Sequence, residues 1–152
     1  MGNARRVINK ATSLIGVKEG PEADKKVIDP WNKRTGCHAT SKKNPWCAIY
    51  AASVFIQSGN TVSGYSLSST CKGQKAYYKK HKRWTEKGKR PRSGDVVFMT
   101  GHEGIITSNS YTGKCKYVSG NSGNAVRQST FNWKTCKAAN GKKIQGYGRP
   151  NY

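Results

Sequence analysis

The chain has 152 residues, with 28 Lys+Arg against 7 Asp+Glu, a formal net charge of +21 and 5 Cys. Its longest mostly apolar run, Trp46 to Ile56, is about half of the roughly 20 residues that a bilayer-crossing helix needs, which excludes a membrane-spanning helix. Only 22 residues are Leu, Ile, Val or Phe, a poverty that warns of disorder when the charge is high. Against this stand 4 Trp, 8 Tyr and 3 Phe, regular hydrophobic periods, and glycines placed at turns. Together they indicate one small folded domain over residues 1–152.

The N-terminus does not read as a targeting segment. Arg5 and Arg6 resemble a signal n-region, but Asn9 and Lys10 interrupt the apolar stretch that a signal requires next, and no small-residue cleavage site appears. Met1-Gly2 resembles the start of a myristoylation signal, but Arg6 stands where Ser or Thr is required. The expectation is a protein without a signal peptide, made in the cytoplasm. Its cysteines are then thiols by default, and the odd count leaves at least one unpaired or joined to another chain.

Residues 4–15 predict the first helix, because Ala4, Val7, Ile8, Ala11, Leu14 and Ile15 share one face and Gly16 follows as a stop. Residues 17–43, rich in Gly, Pro, Lys and Asp, read as an irregular connection. Next, Asn44 suits an N-cap, Pro45 the first helical position and Gly59 the C-terminal cap. The helix between them is apolar on nearly every face and should be buried. Residues 69–82 predict a third helix with a polar outer face.

After Ser93-Gly94 the period changes to that of strands. Short runs at Asp95 to Met99, Glu103 to Thr107, Lys114 to Ser119, Ala125 to Phe131 and Lys143 to Tyr147 are separated by Gly, Asn and Ser at hairpin intervals. Helices first and strands second imply an α+β fold, with N-terminal helices packed on an antiparallel sheet of about five strands.

The charge must attract polyanions: nucleic acid, an anionic membrane, or a bacterial wall carrying phosphate polymers. The densest basic stretch, Lys72 to Arg92, mixes Lys79, Lys80, Lys82, Arg83, Lys87, Lys89, Arg90 and Arg92 with Tyr77, Tyr78 and Trp84. That texture fits a nucleic-acid-binding surface. It fits equally a solvated helix and loop whose aromatics pack inward, which is the commoner fate of such runs.

Cys47 is the first candidate for chemistry. With Asn44 as cap it is the third residue of a buried helix, beside free N–H groups and the positive end of the helix dipole, where a thiolate is favoured. The competing reading is a buried structural cysteine. A thiolate nucleophile needs a proton acceptor and donor, and only His38, His81 and His102 are available. His81 lies in the basic helix, where like charges hold it exposed. His38 neighbours Cys37, but no further Cys or His pair completes a metal site. His102 opens a strand after the turn Thr100-Gly101 and is the best placed, although a plain turn histidine accounts for it as well. A third group should orient the imidazole. Glu103 points to the opposite face of the strand, whereas Asn121, with Ser119 as the alternative, ends the next strand.

These residues resemble a known family. Pro45-Trp46-Cys47-Ala48 opening an apolar helix resembles the nucleophile motif of the CHAP-type amidases and peptidases. Ser93-Gly94-Asp95-Val96-Val97-Phe98 is similar to their Pro-Gly-Asp-(Ile/Val)-Val-Phe strand, and His102-Glu103-Gly104-Ile105-Ile106 to their His-Val-Gly-Ile-Val strand. Val118-Ser119-Gly120-Asn121 is similar to a strand usually reading Ile-Glu-Gly-Asn, and Gly146-Tyr147-Gly148-Arg149-Pro150 to the tail of phage-type members. The order Cys, His, Asn is that of papain-like folds.

The resemblance implies a papain-like peptidoglycan hydrolase, cutting the muramoyl–alanine amide or a stem-peptide bond, of phage or prophage endolysin character. It implies Cys47 as nucleophile, His102 as general base and acid, and Asn121, or else Ser119, as the residue that orients His102. The Cys47 backbone N–H would bind the oxyanion, with Asn44 a second candidate donor. Ser119 departs from the family, which has an acidic residue there. The aspartate-rich calcium loop of some relatives is absent, so no metal and no cofactor are expected. The expected partners are peptidoglycan and anionic wall polymers, met by a monomer. The alternatives are a nucleic-acid or polyanion-binding module, which leaves the Cys, His, Asn order unexplained, and an antibacterial wall-degrading toxin with the same chemistry.

Overall fold

The structure, a computed structural model, describes residues 2–152. Helix α1, Asn3–Ser13, buries Val7 and Ala11, and Leu14 follows them into the core. Ile15, expected on the same face, is 41% exposed, because the helix has ended before it and Gly16 turns the chain away with φ 95°.

Residues 17–43 are not an irregular connection. Gly20, with φ 112°, starts a helical segment made of α2 (Pro21–Ala23), a wider π-helical turn (Asp24–Ile28) and α3 (Asp29–Thr35). Its buried side is Ala23, Val27, Ile28 and Trp31. Pro30 has no N–H to give the carbonyl four residues back, that of Lys26. The Gln57 side chain donates to that carbonyl instead (3.0 Å), and Ser53 Oγ donates to the carbonyl of Val27 (2.6 Å). Both donors lie on α4, Cys47–Gln57. The irregular turn is thus where the two helices are tied.

Helix α4 begins two residues later than the Asn44 cap predicts. Trp46 holds the cap position and makes no side-chain capping bond. Asn44 Oδ1 is taken by the Thr40 N–H at 3.0 Å, and the residue before a proline is steered away from helical geometry. Cys47 is therefore the first residue of the helix, not the third. Nine of its eleven residues are buried, as an all-apolar helix demands. At its far end Ser58 closes the helix and Gly59 takes φ 103°, the left-handed turn that glycine allows. Helix α5, Cys71–Lys80, is capped by Thr70 Oγ1, which accepts from the Gly73 N–H at 3.0 Å. No helix among the described residues is long and apolar enough to cross a membrane.

The fold is α+β, and its antiparallel sheet has seven strands rather than five: β1 Trp84–Glu86, β2 Val96–Met99, β3 His102–Asn109, β4 Lys114–Ser119, β5 Arg127–Asn132, β6 Lys137–Ala138 and β7 Ile144–Gly148, in the order β1-β7-β2-β3-β4-β5-β6. The additional strands are β1 and β6, of three and two residues. One side of the sheet, with Val96, Phe98, Ile105 and Val118, joins the helices in the main core. The other side buries Val97, Met99, Ile106, Tyr117, Phe131 and Tyr147 among the strands themselves. The aromatics of the basic stretch turn inward. Tyr78 is fully buried, Trp84 packs on Phe98 at 5.5 Å between ring centres, and Lys79 lies over the Trp84 ring.

Candidate active site

The site lies where the first residues of α4 and α5 meet the start of β3. Three ties set this junction. Trp46 is fully buried, and its indole N–H donates to Glu19 at 3.2 Å. Tyr50 donates to the Ala11 carbonyl at 3.0 Å. Gln74 on α5 donates to the carbonyls of Ala48 (2.7 Å) and Ser68 (2.9 Å), which brings the first turns of the two helices together. Gly120, just after β4, lets α4 approach the sheet. A Cβ there would lie 2.5 Å from Tyr50 and 2.8 Å from the Trp46 ring.

Cys47 is 8% exposed and opens into a cleft of about 350 Å³ lined by Asn44, Pro45, Thr70, Cys71 and Gly101. Its Sγ lies 3.4 Å from the Sγ of Cys71. The hydrogen bond with Cys71 is the largest influence bringing the Cys47 thiol down to about 4; burial opposes this, and the neighbouring His102 imidazole and the Glu103 backbone N–H assist. As the first helical residue, Cys47 also has a backbone N–H with no partner within the helix. The thiol of Cys71 is pushed up, first by Cys47 itself and then by burial and the nearby Glu103.

His102 follows the turn Thr100-Gly101, in which Gly101 takes φ 66°. It is 9% exposed and sits beside the Cys47 thiol, with no hydrogen bond of good geometry between them. Such contacts commonly tighten only when substrate binds. The structure therefore brings Cys47 and His102 together. Asn121 takes φ 55°, is half-buried, and has no hydrogen bond to His102. It lies two residues beyond the end of β4, the strand paired with β3 through Ile105↔Val118. Ser119 lies against Gly104, its hydroxyl buried without a partner. Asn44 lines the cleft beside Cys47. Asp95 lies apart, where it accepts the Arg92 N–H and both arms of Arg149, all at 2.9 Å.

Two residues of the site carried no usable sequence signal, Cys71 and Glu103. Glu103 is fully buried and both its carboxyl oxygens lack hydrogen-bond partners. Burial, and next the Cys47 charge, hold its carboxyl well above the usual carboxylate range, which favours the neutral acid. It reaches this position although it points away from the His102 face. The Cys47 thiol lies near the His102 imidazole and the Glu103 backbone N–H, so both residues influence it.

His81 is exposed at the C-terminal cap of α5, where its Nδ1–H donates to the Tyr77 carbonyl and its ring stacks on Tyr77. His38 is exposed in a loop. All five cysteines are free thiols. No group of three or more His, Cys, Asp and Glu that could hold a metal occurs among the described residues. A larger basic cavity of about 500 Å³, lined by Lys82, Arg83, Arg92 and Arg149 with Trp84 and Tyr152, contains none of the candidate catalytic residues. A reactive thiolate beside an imidazole at a cleft mouth can attack an acyl carbonyl and protonate the departing group. No family model and no curated protein matches the chain.

Proposed function

We propose that this chain is a papain-like cysteine hydrolase of the CHAP type that cleaves an amide bond of bacterial peptidoglycan, in the manner of a phage endolysin. The observation that carries the reading is the placement of the Cys47 thiol at the first residue of a buried helix, 3.4 Å from the Cys71 sulfur and beside His102, where its pKa is lowered. Cys47 attacks the amide carbonyl. His102 gives its proton to the leaving amine and then takes one from the water that releases the acyl group. The free N–H of Cys47 and the Asn44 side chain stabilise the oxyanion. Asn121 orients the imidazole, and Cys71 holds the resting thiolate by donating to it. The wall supplies the substrate, and the +21 charge holds the enzyme on its anionic polymers.

The test is digestion of purified peptidoglycan by the wild-type protein and by Cys47→Ala, read by mass spectrometry of the released fragments. New amide-cleavage products from wild type alone are expected, and their masses name the bond. Absence of products from several wall types, with a folded wild-type protein, overturns the hydrolase and leaves polyanion binding as the reading. Adsorption to the wall should weaken with added salt, because exposed charges are screened within about 10 Å at 0.1 M.

A further inference from the structure

We infer that Cys47 and Cys71 form a reversible redox pair, in which Cys71 captures oxidised Cys47 as a disulfide and the oxidant is a hydroperoxide. Loss of wall hydrolysis as the consequence rests on the proposed hydrolase; the disulfide itself does not.

The two sulfur atoms are 3.4 Å apart, so bond formation needs an approach of only roughly 1.3 Å to the ~2.05 Å of a disulfide. Each thiol belongs to the first residue of its own helix. The adjustment therefore falls on two helix ends and not on a packed helix middle. Both line the same cleft, and Cys71 also borders a neighbouring pocket with Lys72 and Lys75. A small oxidant can reach the pair. The other three cysteines lack this arrangement. Cys37 is exposed in a loop, while the thiols of Cys115 and Cys136 donate to the carbonyls of Gly113 and Trp133.

The chemistry balances in two steps. The Cys47 thiolate attacks the O–O bond of ROOH, takes one oxygen and, with one proton, gives Cys47–SOH and ROH. The Cys71 sulfur then attacks the sulfenic sulfur, and the thiol proton leaves with the hydroxyl as water, giving Cys47–S–S–Cys71. The hydroperoxide is reduced by two electrons and the two thiols are oxidised. Order is built into the pair. The Cys47 thiolate is the largest influence holding the proton on Cys71, and the first step removes that thiolate. Cys71 becomes the nucleophile only after Cys47 has been oxidised. A dithiol returns both to thiols by exchange.

The experiment uses the reduced full chain treated with stoichiometric hydrogen peroxide, quenched with N-ethylmaleimide, and examined by intact mass and peptide mapping. The expected product has a peptide linking Cys47 to Cys71, two fewer maleimide adducts, and a mass about 2 Da below the reduced chain before alkylation. Dithiothreitol reverses all three. In Cys71→Ser, Cys47 should instead gain oxygen in steps of about 16 Da and progress to forms that dithiothreitol does not rescue. Irreversible oxidation of Cys47 in wild type as fast as in Cys71→Ser overturns the inference. So does a disulfide joining Cys47 to any other cysteine. Mapping of the wild type decides even where the variant folds poorly. A linked pair in a protein that never cleaves peptidoglycan sustains the redox pair and overturns the hydrolase.

Discussion

Two acidic side chains on the β2–β3 hairpin are buried, and the chain treats them in opposite ways. Asp95, just before β2, accepts a bidentate pair from Arg149 and the Arg92 N–H. Glu103, on β3, has no well-formed hydrogen bond to either oxygen, only a loose contact with the Cys71 thiol, and its neutral form is favoured among Cys47, Cys71 and Tyr78. A buried carboxylate that only holds the fold together must be fully paired, because an unpaired buried charge costs too much to keep. A carboxyl left unpaired beside a thiolate is a cost tolerated where chemistry needs it. On the proposed reading, the hairpin thus has a structural end and a reactive end.

The largest effects should separate these ends by what they damage. At the reactive end, the proposed hydrolase predicts that Cys47→Ala reduces wall hydrolysis by roughly 10⁴-fold or more, and His102→Ala by about 10²–10⁴-fold. Both variants should still melt cooperatively as folded domains. Steady-state digestion and thermal melts on the same preparations check this. At the structural end, Arg149→Ala strands the Asp95 charge. The expected cost is about 3 kcal/mol, the low end for breaking a buried pair, because the Arg149 side chain is 29% exposed. That lowers the melting temperature by roughly 6–12 °C. Activity per folded molecule should be retained at low temperature. An Arg149→Ala protein that melts normally but cannot cleave would erase the distinction between the ends.

The ionised state of Cys47 sharpens the comparison by a smaller effect. Its alkylation by iodoacetamide should stay nearly constant from pH 8 to pH 6 and fall only as the pH approaches about 4. An ordinary thiol slows about tenfold per pH unit below its pKa of about 8.5. Tenfold slowing between pH 7 and pH 6 at Cys47, followed by peptide mapping, would show that Cys71 and His102 do not hold the thiolate.

The reactive end was legible in sequence only where its residues mark helix and strand starts. Cys47 at the head of an apolar helix and His102 after a Gly turn both carry such marks. Cys71 and Glu103 do not, because only the Gln74 tie and the close approach of α4 to β3 bring them to the thiol. Strand alternation correctly turned Glu103 from the His102 face, but it says nothing of a thiol lying near the strand backbone. In the fold, β4 was readable to the residue, since burial alternates from Lys114 to Tyr117 before Val118 and Ser119 both pass into the core. Strands β1 and β6 were not, because two or three residues show no period and gain their form by pairing with β7 and β5. The helical segment over 21–35 kept an apolar face at Ala23, Val27, Ile28 and Trp31, hidden by the prolines around which the helix widens.

The smallest expected effect isolates Glu103. In the unfolded chain its proton leaves near the ordinary value of 4.5, while the folded chain keeps it to much higher pH. Between those limits the folded state binds more protons, so this group makes stability fall as pH rises. Cys47 acts with the opposite sign. Its folded pKa is depressed from 9.0 to about 4, so between these values the unfolded state binds more protons and stability rises with pH. The two trends offset one another in the wild type. Comparison with Glu103→Gln removes one and keeps the other. From pH 5.5 to 6.5 the variant should gain on the wild type by at most about 1.4 kcal/mol, or roughly 3–6 °C in melting temperature. The gain should shrink in a Cys47→Ala background, because the thiolate is the second cause that holds the proton on Glu103. Parallel melting curves for wild type and Glu103→Gln over this range would mean that the Glu103 carboxyl is paired after all, and that the hairpin has two structural ends.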